Sequence, residues 1–236
     1  MKRVVLKISG EALAGEKKVG IDYNIVSSIA KEIKDLYDQG NIQLSIVVGA
    51  GNMCRGRDAI ESGMNRTNAD YMGMLSTIIN AMAIQGALEN LGAKASVMTS
   101  ISIPIVTDFY TRRDADKKLN NNEIVIFGGG IANPFFSTDT TAALRAAELE
   151  CDLILMAKNG VDGVYDKDPR KDSTAKKFTK MTHKEVLDRG LAVMDLTAAT
   201  LCDQNNIDIY VFDMNEKGNI AKAVNDCSFG TIITNK

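Results

Sequence analysis

The sequence predicts an α/β fold, a largely parallel sheet covered by helices on both faces, and three observations carry that expectation. Short β-rich runs alternate with helical patterns from end to end, the mark of consecutive βα units. Four glycine-bearing turns follow apolar runs, and in an open parallel sheet such turns share one edge. No Pro-rich linker, repeat or low-complexity tract interrupts the 236 residues, so residues 1–236 read as a single domain.

The elements follow in order. A strand is expected over 3–8, then a helix over 22–39 with Ile25, Ile29, Ile33 and Leu36 on one side and Gly40 where a C-terminal cap belongs. A strand over 43–48, a helix near 70–91 and a strand over 95–98 come next; Met72, Met74 and Met82 are spaced as core residues of that helix. Residues 123–127 are apolar and β-branched like a buried strand, and 140–150 is helical, so FGGGIANPFFSTDTTAA at 127–143 reads as strand, glycine turn and helix N-terminus. Three consecutive glycines are entropically costly, so either the backbone needs positive φ there or something approaches it closely. A strand over 153–156, helices over 182–189 and near 195–205, and strands over 209–212 and 231–234 complete the chain. Thr182-His183-Lys184-Glu185 has capping-box spacing, which makes His183, the single histidine, a surface residue of a first helical turn with no chemistry assigned.

Composition narrows the function classes. With 45% apolar and 25% charged residues the chain has ordinary globular composition. A net charge of −2 and a pI near 5.6 argue against a protein whose main role is holding nucleic acid. Cys54, Cys151, Cys202 and Cys227 are far apart without a C-x-x-C pair, which suits a reduced, cytoplasmic chain with small buried or half-buried thiols. Val4 to Leu6 is too short for the apolar core of a signal peptide, and no segment reads as a membrane span.

The familiar phosphate motifs are missing. There is no G-x-x-x-x-G-K-[ST]; Gly49-x-Gly51 leads to Cys54, and Gly128-x-Gly130 to Asn133, where a dinucleotide fingerprint needs Gly or Ala. Asp162, Asp166 and Asp168 lack the glycine of a calcium loop. What remains is a phosphate site assembled from several turns. Lys7 puts a charge where the first strand should stay apolar, just before Ser9-Gly10; it either snorkels at an edge or compensates a transferring phosphoryl group. Arg55 follows Gly49-Ala50-Gly51-Asn52, a fork donor beside exposed backbone N–H groups. Asp70 is read at the front of its helix, as a cap or as an acceptor for ribose hydroxyls. Asp139, in Ser137-Thr138-Asp139-Thr140-Thr141, stands at a helix start among phosphate donors and can itself hold Mg²⁺.

Together, KISGEAL, VVGAGNMCRG, GMNRTNADYMGML, NPFFSTDTTAALRA, VDGVYDKDP, VMDLTA and VFDMN resemble the bacterial uridylate kinases of the amino acid kinase superfamily over nearly the whole chain. The resemblance implies a three-layer αβα sandwich around a mainly parallel eight-stranded sheet. It implies transfer of the ATP γ-phosphoryl to UMP with Mg²⁺, in pyrimidine nucleotide synthesis. Catalysis would rest on Lys7, Arg55 and Asp139, with Asp139 organising Mg²⁺ or the lysine. ATP would meet Lys7, Ile8, Ser9 and Gly10, with Gly51 and Arg55 at its phosphates and Asn159, Tyr165 and Asp168 at its nucleoside end. UMP would meet Ala50, Asp70 and the run Ile131, Ala132, Asn133, Pro134, Phe135, Phe136, Ser137 and Thr138. A homohexamer, GTP activation and UTP inhibition are implied as well, and neither nucleic acid nor membrane is an expected partner.

Two departures stand out. Ala50 replaces a family glycine, adding a methyl where backbone approaches a phosphate, and Ile131-Ala132 replaces Thr-Gly, removing a hydroxyl near UMP. The rival readings are a superfamily kinase acting on a carboxylate or carbamate, and a catalytically silent nucleotide-binding module. Asp70 and the NPFF run speak against the first, the joint retention of Lys7, Arg55 and Asp139 against the second.

Overall fold

In the computed structural model, which describes residues 1–54, 56–191 and 193–235 and leaves the side chain of Arg57 aside, the first apolar run becomes the middle strand of the sheet. The strands in chain order are β1 (Lys2–Ile8), β2 (Ile42–Val48), β3 (Ala95–Thr99), β4 (Asp108–Phe109), β5 (Ile124–Gly128), β6 (Leu153–Lys158), β7 (Val164–Tyr165), β8 (Lys177–Phe178), β9 (Lys180–Met181), β10 (Asp208–Asp213) and β11 (Thr231–Ile233). Nine of them form one sheet in the order β4-β3-β5-β2-β1-β6-β10-β11-β9, while β7 and β8 pair as a separate antiparallel hairpin. All ladders of the large sheet are parallel except β10 with β11. The count exceeds the expected eight; β4 and β9, the two edge strands, are two residues each and too short to show a period.

The helices are α1 (Tyr23–Asp38), α2 (Gly56–Glu61), α3 (Arg66–Asn90), α4 (Arg112–Asn120), α5 (Thr138–Glu148), α6 (His183–Asp188), α7 (Leu196–Gln204) and α8 (Asn219–Lys222), with a 3₁₀ segment over Gly10–Lys17. They cover both faces. Val4, Leu6 and Ile8 of β1 point into a core shared with α1, α3 and α8, whereas Val5 points to a second core under α4, α5, α6 and α7. This is the strand period of two acting on a run buried on both sides.

Several local expectations are corrected. In α1 the buried face is Val26, Ile29, Ile33 and Leu36; Ile25 lies at its edge. Helix α3 starts four residues before the expected Asp70, because Asn65 accepts the Thr67 N–H and caps it. Met74 is buried, but Met72 and Met82 are exposed, with Tyr71, Leu75 and Ile79, along an apolar stripe of α3. By length and composition α3 could also cross a membrane; it instead packs on β3, β5 and α1 and carries the buried, hydrogen-bonded Asn80. The capping box at Thr182 is present, yet His183 is buried, since α6 turns that residue inward against α7 and the start of β10. Cys151 and Cys202 are buried and Cys54 half-buried, whereas Cys227 is exposed; all four thiols are free.

Candidate active site

The turns that follow β1, β2, β5 and β6 meet at one edge, as parallel strands require. The first two touch: a Cβ on Gly10 would come within 2.4 Å of the Gly49 carbonyl oxygen, so no side chain fits there. Asn52 and Asn80 exchange side-chain hydrogen bonds at 2.7 and 3.0 Å, and Asn80 donates to the Gly49 carbonyl at 2.8 Å, tying the second turn to α3. At the third turn both reasons for glycine apply. Gly128 packs closely against Ile78 of α3, where a Cβ would come within 3.1 Å, while Gly129 and Gly130 take φ of 76° and 57°. The Gly129 N–H donates to Thr77 Oγ1 at 2.8 Å.

At this edge strand alternation places two lysines on one face. Lys7 is in register with Val47 and Met156, which belong to the α5-side core, so its side chain emerges there too. Lys158 lies two residues beyond Met156 and shares that side. The N-terminus of α5 meets them with Asp139, whose Oδ1 is 2.6 Å from Lys7 Nζ; both side chains are less than one-fifth exposed. Asp139 is free for this because Ser137 caps the helix, accepting from the Asp139 and Thr140 N–H groups. Lys158 Nζ donates to the Val193 carbonyl at 2.5 Å. Burial holds its pKa below the usual lysine value, and Lys7 adds to that lowering while Asp139 opposes it. Sequence reasoning missed Lys158, although the same signal that exposed Lys7, a lysine closing a buried run, was present.

Asp195, the N-cap of α7, accepts from Ser137 Oγ, from Thr140 Oγ1 at 3.0 Å and from the Ala198 N–H at 2.9 Å. Burial alone would raise its carboxyl, but these bonds outweigh burial and hold it below the ordinary carboxylate value. The start of α5 is thereby fixed against α7.

Two cavities flank the Lys7–Asp139 pair. On the donor side, a cavity of about 520 Å³ is lined by Lys7, Ser9, Lys158, Asn159, Tyr165 and Asp168, among others. The Tyr165 hydroxyl donates to Asp162 at 2.6 Å, and Asp168 accepts from Arg170. Ile8 and Gly10 are buried, so only their backbone can serve a ligand, and the Ile8 carbonyl already accepts the Gly49 N–H. Gly51 lines the other cavity instead of this one.

That second cavity, about 290 Å³, is lined by Ala50, Gly51, Cys54, Asp70, Met74, Gly130, Ile131, Phe136, Ser137 and Thr138. Asp70 is no helix cap: its carboxylate accepts the Phe135 N–H at 2.8 Å and meets Arg66 at 3.5 Å. Ala132, Asn133, Pro134 and Phe135 form an outer arc that does not line the cavity, with Ala132 and Phe135 at φ of 62° and 73°. Arg55 lies outside the described residues. Among the described residues no three His, Cys, Asp or Glu side chains gather as a metal cluster; Asp139 is the carboxylate paired with Lys7.

Two cavities thus lie beside a lysine–aspartate ion pair at the sheet edge, on a fold that known proteins share. The profile of the Amino acid kinase family matches residues 2–213. A UMP kinase from Bacillus anthracis superposes with a TM-score of 0.95 at 39% identity, over 100% of this chain and 96% of that one. A UMP kinase from Ureaplasma parvum gives 0.94 at 37% identity, over 99% and 98% of the two chains. A uridylate kinase from Archaeoglobus fulgidus gives 0.72 at 30% identity, over 99% and 100%. On this agreement of profile, fold and full-length identity, the chain belongs to the amino acid kinase family and, within it, to the UMP kinases.

Proposed function

We propose that the chain transfers the γ-phosphoryl of ATP to UMP, giving ADP and UDP, a step of pyrimidine nucleotide synthesis. The observation that carries this is the Lys7–Asp139 pair standing between two cavities: Lys7 lines the larger, and Thr138, beside Asp139, lines the smaller. ATP occupies the larger cavity, with Asn159, Tyr165 and Asp168 at its nucleoside end. UMP occupies the smaller, against Ala50, Asp70, Ile131, Phe136, Ser137 and Thr138.

Phosphoryl transfer requires two anions held in line and their spreading charge compensated, with little covalent help. Lys7 and Lys158 supply two ammonium groups on one face of the sheet, and Asp139 orients Lys7. Ser137, held by Asp195, caps α5 through the Asp139 and Thr140 N–H groups and so fixes where Asp139 stands beside Lys7. Arg55 would add a fork donor from the second turn. The acceptor phosphate has a second pKa near 6, so at neutral pH it is already a nucleophile and needs no general base.

Asp139 also suits Mg²⁺. Its Oδ1 is buried and, the ion pair with Lys7 apart, has no hydrogen-bond partner. One carboxylate with substrate phosphates and water is a donor set that Mg²⁺ takes. Held there, such an ion would supply further charge neutralisation at the phosphates.

We further propose a cytoplasmic homo-oligomer, a hexamer by the family resemblance, with the apolar stripe of α3 as a contact between copies and with GTP and UTP as effectors. Sedimentation and effector titration test these points. For the activity itself, a coupled ADP-release assay is run with ATP, Mg²⁺ and UMP, CMP or small carboxylates as acceptors. Turnover with UMP in preference to the others is expected; folded protein inert toward millimolar UMP would sink the assignment, and turnover of a carboxylate alone would favour the rival kinase.

A further inference from the structure

Arg145 is a buried charge that the phosphoryl-transfer site does not touch. It sits on α5, 4% exposed, facing away from Asp139 toward β3 and β5. Taking a guanidinium out of water is costly, and a buried ion pair seldom repays that as stability. Its partners show where the group acts instead.

Its guanidinium lies 3.7 Å from the centre of the Tyr110 ring, and Nη1 pairs with Glu148, which also accepts from the Tyr110 hydroxyl at 2.6 Å. Two neighbours, Tyr110 and Glu148, thus hold one side of it. The remaining terminal nitrogen, Nη2, donates to Ser100 Oγ at 2.7 Å, and Ser100 Oγ donates in turn to the Gly130 carbonyl at 2.9 Å. A hydroxyl that accepts from a cation becomes a stronger donor, so the second bond is reinforced by the first.

Gly130 is where such reinforcement matters. Gly129, Gly130 and Ala132 all take positive φ, and the alanine does so against its own preference. A backbone run of this kind persists only where its surroundings over-determine it. Thr77 holds the Gly129 N–H from α3, and Ser100 holds the Gly130 carbonyl from the end of β3. Gly130 and Ile131 wall the smaller cavity.

We propose that Arg145 is a positioning residue for the acceptor: acting through Ser100, it fixes the Gly129–Gly130 turn so that the cavity wall keeps the shape that receives the nucleotide. The same rigid helix presents Asp139 to the phosphates, so acceptor wall and phosphoryl centre share one frame. This rests on the smaller cavity being the UMP site.

The test is steady-state kinetics with UMP and ATP varied in turn, on wild type, Ser100→Ala, Arg145→Gln, Arg145→Lys and the Ser100→Ala/Arg145→Gln double variant. The relay predicts a KM for UMP raised about tenfold in each single variant, with KM for ATP and kcat within about twofold of wild type. Arg145→Lys should not rescue, since an ammonium cannot serve Glu148 and Ser100 together as the fork does. The double variant should be no worse than Arg145→Gln, because both changes break one chain. A merely structural role would lower thermal stability without moving the ratio of the two KM values. Should Arg145→Gln fail to fold, Ser100→Ala decides alone: a folded Ser100→Ala enzyme whose KM for UMP is unchanged, or whose two KM values rise together, overturns the relay. Wild type is measured first. Turnover of UMP by wild type with unaltered variants rejects the relay alone, whereas wild type inert toward UMP rejects the acceptor assignment and this inference with it.

Discussion

Lys7 has two readings in the sequence, an edge lysine or a phosphoryl contact; the structure pairs it with Asp139 at 2.6 Å in a half-buried setting, and the second is the role proposed for it. Lys7→Ala should therefore lower kcat by about 10²–10³-fold, the size of effect seen when one preorganised charge-stabilising donor is removed, with circular dichroism unchanged. Wild-type turnover in that variant would restore the edge-lysine reading. Ala132 bears the opposite kind of tension. At φ 62° it occupies a region that an alanine tolerates poorly, where the family resemblance leads one to expect glycine. Ala132→Gly should raise stability by roughly 0.5–1 kcal/mol in urea unfolding, the relieved strain exceeding glycine's extra unfolded-state freedom. Unchanged or lower stability would show that the arc holds Ala132 without strain. Lys7 and Asp139 could be picked out from the sequence because each breaks a local pattern. Asp70 could be picked out as a residue, but its contact with the Phe135 backbone N–H could not, since the two lie far apart in the chain and no local signal encodes that bond.

At the scale of elements, α3 does three jobs on different faces. Ile84 and Leu88 enter the core, Asn80 and Thr77 hold two glycine turns, and Tyr71, Leu75, Ile79 and Met82 stand exposed. An apolar helical stripe left in water marks an interaction surface. Leu75→Glu with Ile79→Glu should give a smaller species in sedimentation velocity, with the secondary structure retained. The helix α6 carries a pH response. Burial lowers the pKa of His183 below its ordinary value near 6.5, outweighing the attraction of Asp203 on α7 and Asp208 on β10. A group that is harder to protonate when folded makes the unfolded chain the better proton acceptor. Stability is then full above pH 6.5 and falls as pH drops below it toward the folded pKa. Thermal unfolding between pH 7.5 and 5 should show this loss, and His183→Gln should flatten it. Elements escaped the sequence where pattern was missing. Helix α4, RRDADKKLN, buries only Ala115 and Leu119, and the strands β4, β7, β8 and β9 are two residues each.

The molecule as a whole is a sheet with two cavities at its C-terminal edge, and its alternating βα order was readable because the central strands are largely buried apolar runs. The convergence of four turns was readable too, from the parallel-sheet rule. What local sequence could not supply was the pairing of distant chemistry: Lys158 with Lys7 through strand register, or Arg145 with Gly130 through Ser100. A ligand that binds only the folded site stabilises the whole chain by mass action. UMP or ATP with Mg²⁺ at 100 times its dissociation constant should add about 2.7 kcal/mol, or roughly 5–10 °C in a thermal scan for a domain of this size. No shift with UMP would count against the smaller cavity as its site.

The alternation in β1 carries a last consequence, for sequence length rather than sequence identity. Val4, Leu6 and Ile8 fill one core while Val5 and Lys7 face the other. Deleting a single residue between Val4 and Leu6 would exchange the two sets, sending Lys7 into the α1 and α3 core and away from Asp139. In a deletion scan this short segment should tolerate substitutions among Val, Ile and Leu far better than the loss of any one codon.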